Sequence, residues 1–175
     1  NTKTLELFTR DEAPALWQLS LRPSTTTSPT ITQAKALRRE GKASEAIALL
    51  STFANEATQQ EQAQAIGLLA RIERGSGNTQ KAIAHYRNSI ALYQEAGNVS
   101  QKIRDVISLA YILIENRIDL TEAKHLLTTV AHELPHHSHS IFRVTYHQGL
   151  LAGYKGDHRR AAQYLRQALQ EAKRM

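Results

Sequence analysis

Gly156-Asp-His-Arg-Arg-Ala161-Ala-Gln-Tyr-Leu165-Arg-Gln-Ala168-Leu169 reads as a turn glycine, four polar residues, a small residue and then an amphipathic helix. The chain repeats this order in Gly41-Lys-Ala-Ser-Glu-Ala46-Ile-Ala-Leu-Leu50 and in Gly77-Asn-Thr-Gln-Lys-Ala82-Ile-Ala-His-Tyr86. A copy without the glycine, Asp119-Leu-Thr-Glu-Ala123-Lys-His-Leu-Leu127, lies between the second and the last. The small residue thus falls at 46, 82, 123 and 161, at spacings of 36, 41 and 38. Self-similarity at such a period marks stacked supersecondary units, each unable to bury its apolar face alone.

Working outward, a second small residue precedes each anchor by twelve positions, at Ala34, Ala70 and Gly149. In the degenerate copy Ala110 stands thirteen before Ala123, which predicts one extra residue in that turn. Two small residues facing each other let paired helices approach closely, and the glycine supplies the tight turn between them. Apolar residues at helical spacing fill the rest, as in Ile103, Val106, Ile107, Ala110 and Leu113. Breakers recur at Gly41, Gly75 to Asn78, Gly97-Asn98, Asp119, Pro135 and Gly156-Asp157. No segment reads as a strand. The fold class expected is all-α, about four antiparallel helical hairpins over 30–175.

This pattern of Gly, four residues, Ala, three residues and an aromatic or Leu resembles the tetratricopeptide repeat. The last copy matches best, through Gly149, Gly156, Ala161, Leu165 and Ala168, while in the second Ser89 stands where Ala is usual. The spacings exceed the common period of about 34, and the family's early Trp is missing. The resemblance implies a right-handed superhelical stack whose first helices line a concave groove for a partner.

Composition narrows the rest. The chain has 175 residues and 24 alanines, no cysteine and only four prolines. Disulfides, a thiol nucleophile and thiolate metal ligands are therefore excluded. Missing cysteine fits the cytoplasm, the compartment expected, and also many periplasmic proteins. No run reaches the roughly 20 apolar residues of a membrane span. Pro14, Pro23 and Pro29 and the Ser24 to Ser28 stretch mark 1–29 as an N-terminal segment and linker, with one helix expected at 11–20. The lone methionine is Met175, so the chain reads as a fragment of a longer regulatory protein. The last helix is polar enough to act as a C-terminal cap. Leu5, Leu7, Phe8 and Trp17 are the residues available to cover the other end, and an uncapped end would accept a second copy of the chain.

For chemistry, the sequence has no Gly-x-Ser-x-Gly and no phosphate-binding loop, and no cofactor motif of any kind. The expectation is that the chain is not an enzyme and carries no cofactor or metal. All eight histidines follow residue 84, and His132, His136, His137 and His139 crowd one stretch. Pro135 should end the helix at about Leu134, which spoils an (i, i+4) ligand pair. A polar loop is the plainer reading, with metal binding the sharper one.

Charge is the stronger pointer. Twenty-two Lys and Arg against sixteen Asp and Glu give +6. The repeat register that the resemblance implies places Lys35, Arg38, Arg39, Arg71, Arg74, Arg104, Tyr111, Arg143, Tyr146 and Tyr154 on the groove, with Gln64 and a single acid, Glu115. Arg forks and flat Tyr rings suit an acidic protein segment or a free carboxylate. The function expected is a non-catalytic protein- or peptide-binding scaffold. Two alternatives use the same residues: a sensor for a small ligand or signalling peptide, and a nucleic-acid-binding repeat. Against the last, no helix-turn-helix or aromatic stacking platform is recognisable.

Overall fold

The computed structural model describes residues 28–134 and 139–173, all helices and short turns. The helices are α1 (Pro29–Arg39), α2 (Ala43–Glu56), α3 (Gln59–Gly75), α4 (Thr79–Glu95), α5 (Val99–Glu115), α6 (Leu120–Glu133), α7 (His139–Tyr154) and α8 (His158–Lys173). The expected helix at 11–20 and the apolar N-terminal cover lie outside the described residues. Consecutive helices pack as four hairpins, and α1 also meets α3 while α5 meets α7, so the first helices share one face. No helix is long and apolar enough, among the described residues, to cross a membrane.

Local signals start and stop these helices. Pro29 opens α1, where its missing N–H costs nothing. Thr58 and Glu61 form a reciprocal capping box on α3, and Asp119 accepts from the Thr121 and Glu122 N–H groups to start α6. Leu134 is extended before Pro135 and ends α6.

Gly41, Gly77 and Gly156 take left-handed φ of 79°, 81° and 79° within the hairpin turns. In the copy without glycine Arg117 takes that role at φ 53°, in a turn one residue longer. The left-handed well is open to non-glycine residues at some cost, and the guanidinium of Arg117 lies over the Tyr154 ring at 4.9 Å.

The anchors behave as spacing predicts. Ala46, Ala82 and Ala123 are fully buried, as are their partners Ala34, Ala70 and Ala110. A Cβ on Gly149 would come within 2.9 Å of Leu165, so glycine lets α7 and α8 pack with Leu165 where it stands. The residue four after each anchor is buried at Leu50, Tyr86 and Leu127 by the next hairpin. On α8 the equivalent Leu165 is 39% exposed and Leu169 57%. The terminal helix is thus less completely polar than its charged residues suggest.

Candidate functional site

The first helices hold three hollows along their shared face. Lys35, Gln64, Arg71 and Arg104 surround one of about 250 Å³, floored by Ile31 and Tyr93. Arg74, Tyr111, Arg143 and Tyr146 surround a second of about 310 Å³, with Ser108, Phe142 and His147. Arg38 and Arg39 line a third near the first hairpin turn, which shares Arg71 with the first. The structure therefore gathers nine of the ten expected groove residues into these hollows. Tyr154 stands apart beneath Arg117, and Glu115 accepts the Tyr111 hydroxyl at 2.8 Å.

The cations sense one another. Burial holds Lys35 below the ordinary lysine value, and Arg71, Arg104 and Arg39 lower it further. Burial likewise lowers Arg143, with Arg104 and Arg74 adding to the effect. Lys35, Arg71, Arg104, Arg143 and Arg74 thus form a chain of coupled positive charge across four helices. Such a field attracts an anion and strengthens where water is displaced.

Two buried polar groups lie under this field, and the sequence reading assigned neither. Asp105 is completely buried, with Arg71 Nη1 at 3.5 Å and Ser89 Oγ donating at 2.9 Å. Burial pushes its carboxyl above the usual range, against the opposing pull of Arg71, Ser89 and Arg104. Gly67 makes the space, since a Cβ there would sit 2.5 Å from Asp105 Oδ2. Tyr93, beside this carboxylate, is pushed up to about 12, by burial first and by Asp105 second. The available signal was Ser89, a hydroxyl where the repeat carries a methyl, facing a small residue on the neighbouring helix.

His147 is the second. It is 7% exposed, and its Nδ1 has no hydrogen-bond partner. Its ring lies 5.2 Å from Tyr111 and 5.4 Å from Tyr146. Burial, then Arg143 and Arg74, lower its pKa to about 4, so it is neutral at pH 7. A neutral imidazole between two tyrosines, with Arg74 over Tyr111 at 5.4 Å, gives this hollow an aromatic wall beneath a basic rim.

Among the described residues no group of His, Asp and Glu is arranged to hold a metal ion. Of the crowded histidines, His132 is exposed at the end of α6, while His136 and His137 lie outside the described residues.

No protein-family model and no curated protein matches the chain. Solved structures do. The crystal structure of MamA is 19% identical with a TM-score of 0.67, covering 94% of this chain and 89% of its own. A putative kinesin light chain of Podosopora anserina, with nearly identical TPR-like repeats, matches at 19% identity and a TM-score of 0.67, over 94% and 84%. A single-substitution variant of that protein gives 18% and 0.69, over 94% and 85%. The chain has the tetratricopeptide-like helical repeat fold.

Proposed function

We propose that this chain is a non-catalytic protein-binding scaffold module whose first-helix face holds an acidic segment, or a free carboxylate, of a partner. The observation that carries this reading is the coupled run Lys35, Arg71, Arg104, Arg143 and Arg74 along one face. Asp105 is buried and engaged by Arg71 and Ser89, and Lys35, Arg104, Arg143 and Arg74 form no ion pair among the described residues. Rigid helices present these groups already spaced, so binding orders the partner far more than the scaffold. The tyrosines of the second hollow add flat contact area between the arginines.

The test uses a fluorescein-labelled oligoglutamate and the paired variant Arg104→Glu, Arg143→Glu, shown to be folded by circular dichroism. The expected result is anisotropy that saturates with wild type, weakens with added salt, and is lost in the variant. Equal binding by both proteins would overturn the reading. Tighter binding of duplex DNA than of oligoglutamate, lost in the same variant, would replace it with the nucleic-acid alternative.

A further inference from the structure

Outside that face lies a cavity of about 340 Å³ between the third and fourth hairpins, bounded by α6, α7 and α8. It shares no lining residue with the three hollows above. Internal repetition shows how it arises, because each of its walls has a counterpart one repeat earlier. Where α4 carries Ile83 and Tyr86, both buried, α6 carries Lys124 and Leu127. Where α5 carries Leu109 and Leu113, both buried, α7 carries Gln148 and Ala152. Four positions that seal the preceding junction are thus replaced by shorter or polar side chains, while Leu151 keeps the apolar floor that Ile112 gives there.

The bridge over the opening is also gone. Arg87 and Glu122 close the preceding junction with a two-point ion pair, Nη2–Oε2 2.7 Å and Nε–Oε1 3.3 Å. The corresponding residues here are Thr128 and Arg160, which do not meet; Thr128 donates to its own helix at Lys124 O, and Arg160 pairs with Asp157 at 3.4 Å. Asp157 also accepts from the Arg160 backbone N–H as the α8 cap, so the one acid at the mouth is already engaged. Lys124 and Lys155 have no acidic partner among the described residues.

We propose that this cleft is a binding site for a small amphipathic carboxylate. Its apolar body would lie on Leu127, Leu151 and Ala152, and its head would meet Lys124 and Lys155. The volume falls in the range of small-molecule pockets, about 300–1,000 Å³. An apolar floor with two unpaired ammonium groups at its mouth selects for a tail and an anion together.

The test is isothermal titration and thermal melting with octanoate, against acetate, octan-1-ol and octylammonium, on wild type and two variants. Ala152→Leu restores the side chain that Leu113 supplies one repeat earlier, and Lys124→Glu with Lys155→Glu reverses the mouth. Octanoate is expected to bind one site saturably and raise the melting temperature, while acetate and octylammonium do neither. Ala152→Leu should melt no lower than wild type by circular dichroism and lose octanoate at least about tenfold. The double lysine variant should lose octanoate to a similar extent and accept octylammonium. Equal affinity for octanol and octanoate, undiminished octanoate binding by Ala152→Leu, or no saturable binding by wild type would each overturn the proposal. If Ala152→Leu fails to fold, the lysine variant decides alone. Oligoglutamate binding by the first-helix face is the independent control, since neither variant alters a residue of its hollows.

Discussion

The junction between the second and third hairpins and the junction between the third and fourth share one backbone plan and invert its chemistry. On the first-helix side, the earlier junction carries a polar trio of Gly67, Ser89 and Asp105, and the later one carries Ile107, Val130 and Val144 in the same repeat positions. On the other side, the earlier junction is sealed by Ile83, Tyr86, Leu109 and Leu113, and the later one opens into the cavity at Lys124, Gln148 and Ala152. A repeat therefore supplies positions, and the side chains placed there decide which layer is dry core and which is site. In a quasi-one-dimensional stack each junction can be altered without redesigning its neighbours.

The largest expected effect breaks the sealed side. Leu113→Ala removes a fully buried side chain and should cost about 2–5 kcal/mol, read as a lower urea midpoint. At the equivalent position of the open junction the reverse change, Ala152→Leu, should leave the midpoint unchanged or raise it, because the space is already there. A loss as large as that of Leu113→Ala would show that the later junction is as tightly packed as the earlier one.

Next comes pH. His147 stands where α5 carries Ser108, and its folded pKa of about 4 lies below the ordinary histidine value of 6.5. A depressed folded value means that its contribution is fully present above pH 6.5 and is lost as pH falls through that window to about 4. The loss should reach up to about 3 kcal/mol. His147→Leu should flatten this part of the stability profile. An unchanged profile would mean that the ring protonates in place.

A smaller effect tests the polar trio. Gly67→Ala drives a methyl into Asp105 Oδ2 and should cost about 1–3 kcal/mol. Adding Asp105→Val, the residue type found at Val144, should recover most of that loss. Failure to recover would locate the strain in the helix pair and not in the carboxylate. The smallest effect is at the surface bridge. Arg87→Gln removes a pair whose side chains are 56% and 28% exposed, and should cost below about 1 kcal/mol, less in high salt.

Much of this was legible beforehand, and for a local reason. The left-handed glycines, the facing alanines and the extra residue before Asp119 are short-range requirements, each written within a few residues of where it acts. The register that put Lys35, Arg71, Arg104 and Arg143 on one face followed from the small residue in each first helix. The same register included Tyr154, which lines none of the three hollows and lies under the guanidinium of Arg117. Nothing next to Asp105 in the sequence marks it for burial, which depends on Gly67 and Ser89, 38 and 16 positions away. The cavity was missed for a similar reason. Lys124, Gln148 and Ala152 are each unremarkable on an amphipathic helix, and only their meeting at one junction leaves a void.

The sequence by itself determined the helices, their turns, the pairing into four hairpins and the sign of the charge, since these depend on spacing along the chain. Tertiary structure alone decided which charges are coupled, which acid is buried, how His147 comes to be neutral, and where the stack is left unfilled. Those are properties of volume and dielectric, set by side chains from three helices at once, and no periodicity along a single chain encodes them.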